Sequence, residues 1–421
     1  MRGYIKSAYF LYKKYIHNFS WRYFGYFART CIAFFIFLIA ARLLTPEAFG
    51  KYNYFIAIAS LLAIFGDFGI STSVSKYVPE YRIKNRGKIK SILFSSLTIC
   101  FILSFSVSIF VLIFGKELFS EDYIYILYTI PLIFLISGVR VFDGFYRGSE
   151  RFKELAIISL ISGLVGLGSA YFLILLYGVA GAIFTQVLSY LVLFTVLTKF
   201  TKESFTPFDK KIAKTISKYA LVVGLSGLAY FLYTRIDIII LGYYGYTIEI
   251  GYYSIIDKFF QFLFIPFVLF GQVIAPDVTK LVTQKKYQKV KQRGLNIIYL
   301  FILGICISIF VYFLVPPIIK SILPEYFKRD LLMILNVLLF LLPFKICGVL
   351  IVNGFVVPSG LAKIVTVITG IGGILNVLLD FLFIKWYGFI GVFYVTALLH
   401  SLAIIFTYII YYRSISKRAL G

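Results

Sequence analysis

The stretch 233–258 reads YTRIDIIILGYYGYTIEIGYYSIIDK, two apolar arms joined by a short aromatic turn. Four charged residues lie inside the apolar arms: Arg235, Asp237, Asp257 and Lys258. The residues around them are apolar enough to lie in a membrane, where a charge at the centre of a helix costs roughly 2.5–3.5 kcal/mol. Two cations and two anions in one hairpin therefore either neutralise one another or line a wet cavity.

The composition of the whole chain is that of an integral membrane protein. Of its 421 residues, 61% are hydrophobic and 14% are charged, whereas about a quarter of the residues in a soluble domain are charged. The net charge of +24 is carried mainly by loops between apolar runs, a distribution typical of membrane topology and of contact with anionic lipid headgroups. We therefore predict contact with membrane lipids and no binding of nucleic acid. The four cysteines show no metal-binding spacing, so we predict no metal and no cofactor.

A helix that spans a membrane requires about 20 apolar residues, and the chain offers enough such stretches for twelve crossings. We predict an all-α integral membrane fold with twelve transmembrane helices. The predicted spans are 22–42, 53–75, 91–114, 123–143, 155–176, 179–198, 217–242, 250–275, 294–316, 331–353, 361–384 and 390–412.

Lysine and arginine are concentrated in every second loop between these spans. Residues 76–90 and 280–293 hold six of them each, whereas the loops on the opposite side hold few. Loops rich in Lys and Arg face the cytoplasm. This pattern predicts a multi-pass protein of the cell membrane with both termini in the cytoplasm.

The two halves of the chain resemble one another at an offset of 210 residues. Gly144-Phe145 recurs as Gly354-Phe355, and Tyr177-Gly178 recurs as Tyr387-Gly388, without a gap. Six helices in each half give both copies the same orientation, so we predict two parallel six-helix lobes with the site between them near the midplane. The predicted parts are an N-terminal segment 1–21, an N-lobe 22–198, a basic linker 199–216, a C-lobe 217–412 and a tail 413–421.

Residues 41–81, ARLLTPEAFGKYNYFIAIASLLAIFGDFGISTSVSKYVPEY, resemble the first hairpin of polysaccharide-exporting flippases. In the second half, RIDIIILG (235–242) followed by IGYYSIIDKFFQFLFIPFVLFGQVIAPDVTKL (250–281) resembles the seventh and eighth helices of the same family. These Wzx-like proteins, also called polysaccharide biosynthesis proteins, belong to the MOP superfamily together with the MATE exporters and the lipid II flippase.

The resemblance implies a flippase for lipid-linked oligosaccharide, the substrate being carried on a polyprenyl (pyro)phosphate. It would move this lipid from the cytoplasmic to the outer leaflet by alternating access, for the export of cell-surface polysaccharide or glycan. The resemblance also implies a cationic cavity for the pyrophosphate and allows glycosyltransferases of the same pathway as partners.

Two other functions stay open at this stage. A MATE-like small-molecule exporter coupled to Na⁺ or H⁺ would have more acids than bases in its cavity. A membrane polysaccharide polymerase or ligase would have a large outer loop with catalytic polar residues, whereas the outer loops here are short. No nucleotide-binding, metalloprotease or nucleophile motif is found in the sequence. We therefore predict a transporter without enzymatic activity and without catalytic residues.

The candidate site consists of charged residues inside predicted spans. The candidates for binding the anionic group of the substrate are the cations Arg29, Arg235, Lys258 and Lys345. The candidates for coupling or counter-ion roles are the acids Asp67, Asp237 and Asp257.

Helical rise places Arg29 and Asp67 roughly 10–12 Å from the cytoplasmic side. They either pair with each other or face the cavity. Arg235 and Asp257 are matched in depth near the outer side, so mutual neutralisation and a substrate site are both open. Lys345 has no acid at its depth on the neighbouring spans and is predicted to face the cavity, because an unpaired lysine in a membrane needs water or an anion.

Four further charged or titratable groups receive structural interpretations. Lys258 is offset from Asp237, but its long side chain is expected to bridge the gap. His400 is interpreted as a hydrogen-bonded core histidine rather than a proton relay. Arg140 is expected at the membrane interface, and Asp380 close enough to the outer end of its span to reach the interface.

Overall fold

The computed structural model describes residues 2–201, 206–294 and 297–420, with the backbone alone for residues 2–19 and Ile298. Within these ranges it contains helices and no strand, which confirms the all-α prediction. The helices are α1 (Arg2–Leu43), α2 (Pro46–Asp67), α3 (Ile70–Lys84), α4 (Ile89–Phe119), α5 (Tyr123–Gly148), α6 (Phe152–Thr201), α7 (Lys210–Thr234), α8 (Ile236–Tyr243), α9 (Thr247–Thr283), α10 (Tyr287–Gly294), α11 (Ile297–Ile322), α12 (Arg329–Ile351), α13 (Ala362–Tyr387) and α14 (Phe389–Leu420). Short 3₁₀ turns lie at Arg86–Lys88, Ser120–Asp122 and Pro324–Tyr326, and a π-helical turn lies at Val352–Val356.

The described part of the chain contains ten helical segments long and apolar enough to cross a membrane. Two of them greatly exceed the about 20 residues that one crossing requires. The segment Arg86–Gly148 has 63 residues and holds α4 and α5, and the segment Phe152–Thr201 has 50 residues. The latter is interrupted at Gly178, whose φ of 55° and ψ of −126° are not helical. The multi-pass membrane fold is therefore confirmed, while the number of twelve crossings stays a prediction.

The chain divides into two compact units. The first unit comprises Met1–Thr45 and Phe55–Leu228, and the second comprises Pro46–Tyr54 and Ala229–Gly421. The first turns of α2 thus belong to the second unit, where they pack against the start of α9. A Cβ atom on Gly50 would lie 1.6 Å from the carbonyl oxygen of Thr247, so only glycine allows this approach. The predicted lobe boundaries stay a prediction.

In the first unit, a buried cluster of apolar side chains joins α3, α4, α5 and α6. It includes Val74, Val78, Ile92, Phe142, Tyr146 and Leu197. Small polar side chains four residues apart line one buried face of α4: Ser96, Cys100, Ser104 and Ser108. Residues four apart share a helix face, and small side chains let helices in a membrane approach closely.

The helix α7 begins in this unit behind a side-chain cap. The carboxylate of Asp209 accepts hydrogen bonds from the backbone N–H groups of Lys211 at 2.9 Å and Ile212 at 3.1 Å. Such a cap satisfies donors that the first turn of a helix leaves free. The N–H of Ile212 is the main cause that holds the pKa of Asp209 below its usual value.

The predicted span 53–75 is interrupted rather than continuous. The helix α2 ends at Asp67, Phe68 and Gly69 have φ angles of 37° and 82°, and α3 begins at Ile70. Glycine adopts a positive φ at little cost, unlike other residues. A Cβ atom on Gly69 would also lie 2.6 Å from the carbonyl oxygen of Ala220 and 2.7 Å from the nitrogen of Gly224. The break therefore requires glycine for its conformation and for its contact with α7.

Gly69→Ala is expected to destabilise the protein by about 2–3 kcal/mol, because it adds backbone strain to a clash with α7. The thermal midpoint of the purified protein in detergent measures the effect. Gly168→Ala is the matched control. Gly168 lies within α6, and a Cβ atom added there would have no neighbour within 4 Å. Alanine there should raise the midpoint slightly, since it favours helix by roughly 1 kcal/mol over glycine. Equal midpoints for the two variants would contradict this account of the break.

In the second unit, apolar side chains from α9, α10, α12, the π-helical turn Val352–Val356 and α14 form another buried cluster. It includes Val278, Val290, Leu350, Phe355, Tyr411 and Ile415. Val290 is fully buried and anchors α10, whereas Lys289 and Arg293 on the same helix are exposed. The short α10 connects α9 and α11 and presents its basic residues to the surroundings.

Candidate functional site

The candidate site of the second unit is built around a break in α7. The helix ends at Thr234, Arg235 has φ −141° and ψ −8°, and α8 resumes at Ile236. A helix end leaves the carbonyl groups of its last turn without regular partners. Side chains of α13 and α14 bind two of them: Asn376 Nδ2 lies 3.3 Å from Leu232 O, and His400 Nε2 lies 2.9 Å from Tyr233 O. The predicted span 217–242 is therefore two helices, and charged residues follow directly after the break.

Arg235 forms an ion pair with Asp257 of α9. The distance from Arg235 Nη1 to Asp257 Oδ2 is 2.8 Å, and Gln261 Nε2 donates to the same oxygen at 2.8 Å. The side chains are 40% and 22% exposed respectively, so the pair is only partly shielded from its surroundings. Of the two interpretations left open for Arg235 and Asp257, the ion pair shows mutual neutralisation, and the substrate site stays a prediction. An incompletely buried pair of this kind is able to exchange partners when another anion arrives.

Lys258 and Lys345 extend this charged group. Both are half-buried, and each lies close enough to Asp257 for an electrostatic interaction. Lys345 interacts in the same way with Asp237. Lys345 was expected to lack an acid at its depth on the neighbouring spans, whereas Asp257 on α9 and Asp237 on α8 both interact with it. That Lys345 faces the cavity stays a prediction. Lys345 nevertheless forms no hydrogen bond or close ion pair with the residues that the structure describes. We call Arg235, Asp257, Lys258 and Lys345 the cationic cluster.

Asp237 lies only two residues after Arg235, but it has different partners. Its side chain is 1% exposed and accepts hydrogen bonds from Asn376 Nδ2 and Thr396 Oγ1, each at 2.8 Å. Neutral donors therefore satisfy this carboxylate. The charges of Asp257 and Arg235 act on Lys258, and the expected bridge from Lys258 to Asp237 stays a prediction.

Asp380, on the same helix as Asn376, lies beside Asp237. It is fully buried, and neither of its carboxylate oxygens has a hydrogen-bond partner among the described residues. The Oδ1 atom of Asn376 lacks a partner in the same way. Asp380 is near enough to Asp237 for the two carboxylates to repel. The expectation that Asp380 reaches the interface is wrong, because α13 turns it towards α8 instead.

These oxygen atoms form an acceptor-rich group, which we call the acidic cluster: Asp237, Asn376, Asp380 and Thr396. Two adjacent buried carboxylates are stable only when a proton or a cation offsets their charge. Carboxylate, amide and hydroxyl oxygens are the ligands that hard cations prefer. No group of three or more His, Cys, Asp and Glu side chains suited to a metal ion occurs in the described residues. Any cation here would therefore rely on the neutral oxygens as well.

Of the acidic cluster, only Asp237 is among the candidate site residues predicted from the sequence. The spacing of Asn376 and Asp380 was a usable signal, because residues four apart lie on one helix face. Thr396 gave no signal, since threonine is common within membrane helices. His400 is 6% exposed and stacks on the ring of Tyr233 with 4.1 Å between centroids. Its interpretation as a hydrogen-bonded core histidine is confirmed.

The candidate residues of the first unit do not pair with each other as one interpretation proposed. Asp67 is 6% exposed and accepts hydrogen bonds from the backbone N and the hydroxyl of Ser71, both at 2.8 Å. It thereby caps α3, and its charged neighbours are Arg140 and Arg147. Arg29 is exposed and forms no hydrogen bond or ion pair with described residues. Pairing of Arg29 with Asp67 is therefore wrong, because the local cap and the arginines of α5 take its place.

The family model described as "Polysaccharide biosynthesis protein" matches residues 15–282, and the model described as "MatE" matches residues 223–382. An uncharacterized membrane protein of Methanocaldococcus jannaschii is 25% identical over 415 residues, which cover 90% of this chain and 80% of that protein. A putative O-antigen transporter of Shigella dysenteriae is 24% identical over 359 residues, which cover 82% of this chain and 87% of the transporter.

Two solved structures share the fold over nearly the whole chain. The first is a multidrug resistance MATE family transporter of the MOP superfamily in an inward-facing conformation, with TM-score 0.77 and 17% identity. The alignment covers 92% of this chain and 95% of that transporter. The second is the lipid II flippase MurJ in an inward closed conformation, with TM-score 0.74 and 19% identity. The alignment covers 96% of this chain and 90% of MurJ.

Proposed function

The chain belongs to the polysaccharide biosynthesis protein family, and from this we propose that it is a multi-pass membrane flippase for lipid-linked oligosaccharide. The substrate is a sugar chain on a polyprenyl (pyro)phosphate, moved from the cytoplasmic to the outer leaflet by alternating access. The O-antigen transporters of Shigella among its relatives and the lipid II flippase among its structural neighbours support this substrate class. Export of cell-surface polysaccharide or glycan is the process that such transport serves.

The observation that carries the proposal is the excess of positive charge in the cationic cluster. Three cations interact electrostatically with the single carboxylate of Asp257, and Arg235 also contacts it directly. Cations inside a membrane protein are costly and mark the path of an ionic substrate. Phosphate oxygens accept charge-assisted hydrogen bonds from guanidinium and ammonium groups. A (pyro)phosphate therefore fits this cluster, with Arg235 and Lys345 sharing Asp257 before it binds and contacting the phosphate afterwards.

We propose that the acidic cluster supplies the coupling. Asp380 and Asn376 present buried oxygen atoms without partners among the described residues, beside Asp237. A proton or a monovalent cation bound there would offset the repulsion between the two carboxylates. Lys345 interacts with Asp257 of the cationic cluster and with Asp237 of the acidic cluster. A change of charge at one cluster therefore changes the electrostatic energy of the other, which is the physical requirement for coupled transport.

A second function is favoured by one observation. The MatE family model matches residues 223–382, a range that contains Arg235, Asp237, Asp257 and Asp380. A small-molecule exporter coupled to Na⁺ or H⁺ is therefore the alternative. Its substrate site would need acids in excess to bind cationic compounds, whereas the cationic cluster would repel them.

Reconstitution into vesicles tests the proposal directly. Fluorescent polyprenyl-pyrophosphate sugars are placed in both leaflets, and a membrane-impermeant quencher reports how fast the protein moves them. We expect movement that depends on the protein and is faster than in vesicles with an unrelated helical membrane protein. If no such lipid moves and the protein instead exports cationic drugs in exchange for an ion, the flippase proposal is overturned in favour of the small-molecule exporter.

We also propose the orientation of the chain and its place in the cell. Both termini lie on the cytoplasmic side of the cell membrane, as the basic segments 76–90 and 280–293 indicate. Glycosyltransferases of the same pathway, which act on the cytoplasmic leaflet, are the proposed partners. Single cysteines introduced at the exposed positions Lys286 and Lys417 should resist an impermeant thiol reagent in intact cells and react after lysis. This test requires removal of the native cysteines.

A further inference from the structure

The break in α7 depends on two side chains that lie far away in the sequence. In a regular helix, the carbonyl groups of Leu232 and Tyr233 would pair with the N–H groups four residues later. At the break, Asn376 Nδ2 lies 3.3 Å from the first carbonyl oxygen and His400 Nε2 lies 2.9 Å from the second. Backbone polar groups in a membrane must find partners within the protein. The break therefore persists because α13 and α14 provide donors for it.

His400 holds Tyr233 in two ways. Since a carbonyl oxygen only accepts hydrogen bonds, the Nε2 atom of His400 must carry the proton in this contact. The imidazole also stacks on the phenol ring of Tyr233, with centroids 4.1 Å apart and planes 9° apart. His400 itself is 6% exposed, so the surroundings fix its ring. Two residues after Tyr233 comes Arg235, whose guanidinium lies against Asp257.

We propose that His400 is a positioning residue. By donating to the carbonyl of Tyr233 it holds α7 open at residue 235 and thereby aims Arg235 at Asp257. Without this donor, the carbonyl of Tyr233 would be stabilised by the regular helical hydrogen bond to the N–H four residues later. Closing that hydrogen bond would point the side chain of Arg235 in another direction. The role of Arg235 in binding rests on the proposed function, whereas the role of His400 in holding the break does not.

Two substitutions separate the hydrogen bond from the packing of the ring. His400→Phe keeps an aromatic ring for the stack on Tyr233 but removes the donor. His400→Gln keeps an N–H donor near the position of Nε2 but removes the ring. Hydrogen exchange of the backbone amides in 234–240, on purified protein in detergent, reports the state of the break without any substrate. We expect His400→Phe to change the exchange of these amides and His400→Gln to resemble the wild type.

A double-mutant cycle tests whether His400 acts through Arg235. Undecaprenyl pyrophosphate is the probe, and its dissociation constant is measured for the wild type, His400→Phe, Arg235→Ala and the double variant. We expect His400→Phe to weaken binding about tenfold in the wild-type background and to have little further effect once Arg235 is absent, because coupled residues are not additive. A general loss of folding would instead weaken binding equally in the wild-type and the Arg235→Ala backgrounds.

The outcomes distinguish the two proposals. Wild-type exchange in His400→Phe, or equal losses in both backgrounds, would overturn the positioning role. The same altered exchange in His400→Gln would assign the effect to ring packing and would overturn it as well. If the wild type does not bind undecaprenyl pyrophosphate at all, the proposed function fails, while altered exchange confined to His400→Phe still supports the positioning of the break.

Discussion

Arg235→Ala is expected to reduce lipid transport and the affinity for a pyrophosphate lipid about 10- to 150-fold, which corresponds to ~1.5–3 kcal/mol for a charge-assisted hydrogen bond. The substitution removes the cation that lies 2.8 Å from Asp257. It also leaves the carboxylate of Asp257 to neutralise Lys345, with which it already interacts. The cluster would thus lose half of its excess positive charge. Initial rates in reconstituted vesicles and binding of undecaprenyl pyrophosphate measure the two effects.

Two further variants decide between a substrate role and simple neutralisation of Asp257. Arg235→Lys keeps the charge but loses the planar fork of the guanidinium, so we expect an intermediate rate. The double variant Arg235→Ala with Asp257→Asn removes both charges of the pair. If Arg235 serves only to neutralise Asp257, this double variant should transport like the wild type. We expect it to remain impaired, because the phosphate still lacks the guanidinium of Arg235, which Lys345 alone does not replace. Full recovery would overturn the role of Arg235 in binding.

The fold could be predicted from the sequence because the hydrophobicity of its long apolar runs dominates it. Long apolar runs separated by basic loops require membrane-spanning helices, whatever their tertiary contacts. The pair of Arg235 and Asp257 was accessible for a related reason: helical rise alone places both residues at the same depth on consecutive spans. Such inferences need only positions along the helix axis.

The breaks and the contacts that join Asp237 to the rest of the acidic cluster could not be predicted, because they depend on rotation about the helix axis and on distant partners. Asp237 finds Asn376 and Thr396, which lie 139 and 159 residues later in the chain. No local pattern specifies such contacts. The failed pairing of Arg29 with Asp67 shows the opposite error. Ser71, four residues away, satisfies Asp67 at the start of α3, so a local cap took precedence over a long-range ion pair.

Asp380→Asn is expected to abolish the dependence of transport on the coupling ion while the protein still binds the pyrophosphate lipid. Asp380 suits this test better than Asp237. The oxygens of Asp237 accept hydrogen bonds from Asn376 and Thr396. In Asp237→Asn, the new amide NH₂ group would face one of these two donors, and that hydrogen bond would be lost. The oxygens of Asp380 have no hydrogen-bond partner among the described residues. Its replacement therefore removes a charge and a cation ligand and breaks none of the hydrogen bonds that hold the cluster.

Thermal unfolding of the purified protein shows whether the cluster binds an ion. A ligand at ten times its dissociation constant stabilises the native state by about 1.4 kcal/mol. We expect the midpoint of the wild type to rise with the coupling cation, and that of Asp380→Asn to be independent of it. Changing the Na⁺ concentration at constant pH, and then the pH at constant Na⁺, identifies the ion.

Asp277→Asn is the matched control for Asp380→Asn. Asp277 is an acid of the same unit, but its side chain is 68% exposed and paired with Arg293. The thermal midpoint of Asp277→Asn should therefore rise with the coupling cation as that of the wild type does. A cation response that persists in Asp380→Asn, or one lost equally in Asp277→Asn, would exclude the acidic cluster as the coupling site. Transport would then need a source of energy other than ion binding at the acidic cluster. In that case the energy would come from a cation gradient acting at Asp67 or from the membrane potential acting on the charged substrate, since moving one charge through 100 mV yields ~2.3 kcal/mol.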